Sequence, residues 1–123
     1  MILDDIKNAL SEVDNKVYYG AVNRNEISDS DAWNYTVFGR SQIRAGQGRT
    51  AYTDRYRVAV VREDYIPDGL AEKIIDAMEK IPGMKFADNL TGEYAYERKG
   101  NTNIVCEMLV LEFSRGRKKC ANG

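Results

Sequence analysis

The sequence predicts an α+β protein: a mostly antiparallel sheet with element order α-β-β-β-α-β-β, one main helix packed across a sheet face, and a long protruding β-hairpin. Three observations predict it. Tyr56, Val58 and Val60 alternate with Arg55, Arg57, Ala59 and Val61, the period of two that marks a strand. Leu70, Ala71, Ile74, Ile75, Met78 and Ile81 recur at three- and four-residue spacing, a broad apolar stripe that specifies an amphipathic helix over about 68–81. Pro67-Asp68-Gly69 separates the two elements, with Asp68 placed to cap the first free amides of the helix, and Pro82-Gly83 stops it. A helix that apolar has to lie on a sheet, and no second helix of its kind is expected.

The other elements follow in chain order. Ile2, Leu3, Ile6, Leu10 and Val13 mark a first helix over about 2–14, with Asp4 and Asp5 at its amino end. Val17-Tyr18-Tyr19 reads as a short strand closed by Gly20, and the polar stretch 21–31 as a loop. Trp33, Tyr35, Val37 and Phe38 make a strand ending at Gly39-Arg40. Residues 41–51 hold Gly46, Gly48 and one large apolar side chain, Ile43. They are expected to form the projecting tip of a hairpin, and loops of that length are more often functional than idle. After the central strand and helix, Lys85 opens a connection with a short extended start. Tyr94, Tyr96 and Arg98 then alternate with Glu93, Ala95 and Glu97 in a strand. The last strand spans 103–113 with apolar residues on both faces, which suggests a central position.

At 123 residues, with 43% hydrophobic and 30% charged, the chain suits one domain over 1–114 and a basic, flexible tail over 115–123. The longest wholly apolar runs are four residues, Val58–Val61 and Met108–Leu111, too short to span a bilayer. Met1-Ile-Leu-Asp-Asp carries no signal-peptide pattern, so an intracellular product is expected. The chain has no histidine, which excludes Ser-His-Asp and Cys-His catalysis within it and leaves no zinc site around Cys106 and Cys120. Cys106 is expected as a small buried thiol and Cys120 as an exposed one, unbridged. Most of the eight tyrosines are expected to be half-buried sheet residues. No catalytic constellation is evident and no cofactor is expected.

The candidate site is the hairpin. Between Arg40 and Arg62 lie six arginines (40, 44, 49, 55, 57 and 62) against one acid, Asp54. Arg40, Arg44, Arg49, Tyr52, Arg55 and Arg57 are the candidate partner-binding residues. Such an arm meets an acidic protein surface or phosphate, and Tyr52 and Tyr56 add stacking capacity. The bland alternative is a solvated hairpin whose charges meet acids on a neighbouring strand. A formal net charge of -1 argues against nucleic acid as the main partner. Arg115, Arg117, Lys118 and Lys119 read as the solvated charge of a chain end.

The element order, with the strand Tyr56-Arg-Val-Ala-Val-Val61 leading through Pro-Asp-Gly into Leu70-Ala-Glu-Lys-Ile-Ile-Asp-Ala-Met78, resembles the tail terminator and tail-completion proteins of long-tailed bacteriophages. The resemblance covers nearly the whole chain as size, order and pattern, and carries no invariant motif. It implies a non-enzymatic virion assembly protein, present in the host cytoplasm during assembly and then in the virion. Such a subunit forms a homo-oligomeric ring, usually hexameric, that caps the tail tube. Its partners are its own copies, the tail tube protein and a head-side connector protein. A head–tail joining or minor capsid role shares the same look. The alternative is a small nucleic-acid-binding or regulatory domain that uses the Arg-rich hairpin and basic tail.

Overall fold

The computed structural model describes residues 1–21, 33–45, 51–86, 92–98 and 101–118. Two helices, α1 (Ile2–Ser11) and α2 (Leu70–Glu79), accompany strands β1 (Val17–Tyr19), β2 (Tyr35–Ala45), β3 (Ala51–Glu63), β4 (Met84–Lys85), β5 (Gly92–Arg98) and β6 (Val105–Lys118). The α+β class therefore holds. The order becomes α-β-β-β-α-β-β-β, because the short extended start at Lys85 is a paired strand, β4.

The strands form one mixed sheet in the order β1-β2-β3-β6-β4, with β5 also on β6. β1 runs parallel to β2, and the other pairings are antiparallel. The parallel pair arises because the chain crosses from β1 to β2 through residues 20–34 rather than by a tight turn. β3 and β6 are central: β3 lies between β2 and β6, while the far edge of β6 takes β5 over 105–111 and β4 over 114–115.

Alternation decides which side chains meet the helices. Phe38, Tyr56, Val58, Val60, Leu109, Leu111 and Phe113 turn to one face and are buried there. Ile74 and Met78 of α2 close over them, as their spacing requires. So do Ile6 and Leu10 of α1. The expectation of one main helix is therefore corrected to two, since the i, i+4 pair Ile6–Leu10 supplies an inward stripe of its own. Each fully buried Ile or Leu contributes about 1.5–3 kcal/mol, so neither helix is dispensable. Among the described residues, no helix is long and apolar enough to cross a membrane.

Local details refine the expected boundaries. Gly69 (φ 87°), rather than Asp68, occupies the position before α2, and no side chain caps that helix. A left-handed backbone there suits glycine and leaves the Asp68 side chain outside the helix mouth. Gly83 (φ 81°) turns the chain from α2 into β4. α1 ends at Ser11, three residues early, and Asp14 just beyond it becomes a structural node. Its carboxylate accepts from the Thr36 hydroxyl (2.7 Å), the Lys16 amide (3.0 Å) and Arg62 Nη2 (2.7 Å). Burial alone would raise the Asp14 pKa, but these donors outweigh it and hold the carboxyl below the usual aspartate range. Arg62 thus leaves the candidate basic arm and ties α1 to β2 and β3.

Cys106 is fully buried, as expected. Cys120, the loop at 22–31 and the hairpin tip at 46–50 lie outside the described residues.

Candidate assembly surface

β2 and β3 do not stop at the edge of the helix layer. β2 continues five residues past Arg40, where the sequence suggested a loop, and pairs with β3 as far as Ala45 opposite Tyr52. β6 likewise continues past Phe113 to Lys118, along Ala51–Arg55 of β3. The expected tail boundary at 114/115 therefore falls inside a strand. The two-stranded hairpin becomes a three-stranded extension with β3 in its middle. This explains how a segment so poor in apolar residues holds its shape: β3 there is hydrogen-bonded on both edges.

The extension has two faces of different character. A register shift between Arg40 and Gln42 marks a β-bulge at Ser41. The extra residue flips the alternation, so Ile43 lands opposite Asp54 on the helix-side face, with Arg40 opposite Tyr56. On that face, Arg40, Tyr52, Arg115 and Arg117 come together. Arg44, Arg55 and Arg57 turn to the other face. Arg57 is bonded there to Glu112 (2.8 Å), as the bland alternative anticipated. Arg55 Nε and Glu112 Oε2 are buried there with no partner among the described residues. Arg49 lies outside the described residues. The five described candidates are thus divided between two faces.

The helix-side face is the more organised. A cavity of about 530 Å³ opens between the amino end of α1 and the extension, lined by Ile2, Arg40, Ile43, Tyr56, Arg115 and Arg117, among others. Arg117 Nε donates to Asp54 (2.6 Å), and its guanidinium carbon sits 4.7 Å from the centre of the Tyr52 ring. Arg115 Nε donates to the Pro82 carbonyl (3.0 Å). Arg40 is exposed and pairs with no acid among the described residues. Burial, with Asp54 beside it, holds the Tyr56 phenol above the usual tyrosine range against the pull of Arg115, Arg40 and Arg117. Three arginines therefore line the cavity together with Tyr56, and among the described lining residues one acid, Asp54, answers them. That arrangement suits oxyanions, because guanidinium forks match carboxylate or phosphate oxygens in pairs.

Arg115 and Arg117 belong to the site, although sequence reasoning left them in a frayed tail. The signal was present: Phe113, Arg115 and Arg117 continue the alternation of Leu109 and Leu111 without a break. A second surface also departs from expectation. Every residue of β5 is exposed, and Tyr65, Tyr94 and Tyr96 are 71%, 55% and 65% accessible rather than half-buried. β5 hangs on the rim of β6, past the reach of the helices.

Charge is sharply segregated along the molecule. Residues 40–57 and 115–119 hold nine of the 18 Lys and Arg but one of the 19 Asp and Glu. The remainder carries twice as many acids as bases. No group of three or more metal-ligating side chains occurs among the described residues. No protein-family model matches the chain, and no curated protein matches it.

Proposed function

We propose that this chain is a structural assembly subunit that joins with copies of itself into a ring, in the manner of the tail terminator proteins of long-tailed bacteriophages. On this reading the ring, usually of six, caps the tail tube and meets a head-side connector. The work is done by contact surfaces, without a catalytic step or a cofactor, in the host cytoplasm during assembly and then in the virion.

The observation that carries the proposal is the three-stranded extension. A sheet that serves its own core needs no strand beyond the helices that cover it. Here β2, β3 and β6 all continue past that cover, and the continuation is dressed with arginine on both faces. Arginine and tyrosine are favoured at interface centres because they combine a rigid planar group with directional polar contacts. Contacts between copies of one chain close into rings when they are head-to-tail and the rotation closes. A basic end and an acidic body supply the polarity such a contact needs.

The test replaces Arg44 and Arg49 with Glu. Neither is expected to serve the core, so the melting temperature should stay within about 2 °C of wild type, as for surface changes. Assembly of particles with finished tails should fail. A stable variant that still completes tails would remove the arm from the assembly role. The rival assignment, a nucleic-acid binder, calls for affinity that falls steeply with salt in a monomer or dimer, roughly one counterion per phosphate contact.

A further inference from the structure

We infer that the cavity between α1 and the sheet extension is the receiving half of a head-to-tail contact, and that it takes the acidic outer face of α2 from a second copy of this chain. The inference rests on the self-assembly reading above but not on the phage assignment.

The receiving half is a concave surface with apolar walls, Ile2 and Ile43, around the guanidiniums of Arg40, Arg115 and Arg117. Arg115 and Arg117 are held by their Nε atoms, to Pro82 and Asp54, so their terminal nitrogens project from fixed stems. Pre-positioned guanidiniums lose less freedom when a carboxylate arrives. A nucleic-acid strand would favour an open groove with stacked rings. The aromatic side chains here are otherwise placed, Tyr56 buried and Tyr52 beneath Arg117.

The inserted half follows from charge. Outside the extension and its tail the chain carries 18 acids, and the orderly row among them is on α2. Glu72 and Asp76 lie four residues apart on α2, both exposed and on the side away from the buried Ile74 and Met78, and Asp68, also exposed, precedes the helix. Among the described residues none of the three pairs with a cation. Like charges at this spacing work against a helix. Asp76 lies in the last turn, where the helix dipole disfavours an acid, and no basic residue of α2 offsets it there. Glu72 itself suits the first turn, so the cost to this helix falls on Asp76 and its repulsion from Glu72, and the row presents carboxylates that answer the sign of the three arginines. The cavity is lined by no residue of α2, so the two halves are separate surfaces of one copy. Joining them links copies head-to-tail, which is the heterologous geometry that closes into rings or runs on as filaments.

Complementary charge reversal tests this, read by sedimentation in low and in physiological salt. The variants are Arg40→Glu and the pair Glu72→Arg with Asp76→Arg. All the changed residues are exposed, and unchanged circular dichroism and melting confirm each fold. Wild type should self-associate, and more weakly as salt rises. Each variant alone should weaken association about tenfold or more, whereas an equimolar mixture of the two should recover pairwise association, since the unaltered cavity of one variant then meets the unaltered α2 face of the other. A wild type that stays monomeric in low salt, an R40E protein that associates normally, or a mixture that fails to recover would each overturn the inference. Loss of DNA or RNA binding in R40E with association intact would reassign the cavity to nucleic acid. If the swap restores association but the oligomer does not bind the end of a tail tube, the self-contact stands and the phage assignment fails.

Discussion

Replacing Asp14 with Ala removes the one carboxylate that joins α1, β2 and β3. Thr36 is 1% exposed and the Asp14 and Arg62 side chains are 8% and 17% exposed, so the lost bonds are not readily remade with water. The bonds from Thr36 and the Lys16 amide are each worth about 1 kcal/mol, and the charge-assisted bond from Arg62 about 1.5–3 kcal/mol. Arg62 keeps the Tyr35 and Val61 carbonyls as acceptors, which places the loss near the lower end, about 3.5 kcal/mol. For a chain of this size that is roughly 14 °C in melting temperature, at about 4 °C per kcal/mol.

Thermal unfolding by circular dichroism reads the change, and Asp14→Asn adds a pH test. Because the folded pKa of Asp14 lies below the unfolded 3.8, the unfolded chain binds more protons between the two values. The stabilisation is complete above pH 3.8 and disappears as pH falls through the folded value. The gap in stability between wild type and D14N should therefore be constant near neutrality and close on acidification below that point. A D14A protein that melts within roughly 4 °C of wild type, about 1 kcal/mol, or a gap that widens in acid, would refute the node.

Three further outcomes are expected. Ile74→Asp forces a charge into the buried core cluster, at a loss of about 4 kcal/mol or more, and should leave little cooperative melting; an unchanged transition would remove α2 from the core. Under native conditions Cys106 should resist alkylation while Cys120 reacts, with no 106–120 bridge by mass spectrometry; rapid modification of Cys106 would contradict its burial. Arg117→Ala should leave the overall melting temperature nearly unchanged yet speed amide exchange across 51–55, because it cuts the Asp54 and Tyr52 contacts that hold β6 to the extension; unaltered exchange would show that backbone pairing alone orders it.

The inward-facing half of the fold was legible because burial imposes a period. Tyr56, Val58 and Val60 could face the core in one way, and Ile74 and Met78 could cover them in one way, so strand and helix follow from spacing. Where burial stops constraining the chain, the pattern stops speaking. Gln42, Arg44, Arg115 and Arg117 look like loop and tail because nothing apolar marks their alternation, yet they are strand, held by edge-to-edge hydrogen bonds that any side chain permits. The bulge at Ser41 leaves no trace in composition, although it decides that Ile43 shares a face with Arg40.

The same limit governs the arginines. Arg62 and Arg40 are identical in chemistry, and in sequence both belonged to one basic run. Arg62 sits where the helices cover the sheet, so its guanidinium had to be satisfied internally, and Asp14 with two carbonyls does so. Arg40 sits one step beyond that cover, exposed and with no acid against it among the described residues. What separates a structural arginine from one available to a partner is the edge of the helix layer, and that edge is set by where α1 and α2 end rather than by anything in the strand that carries the charge.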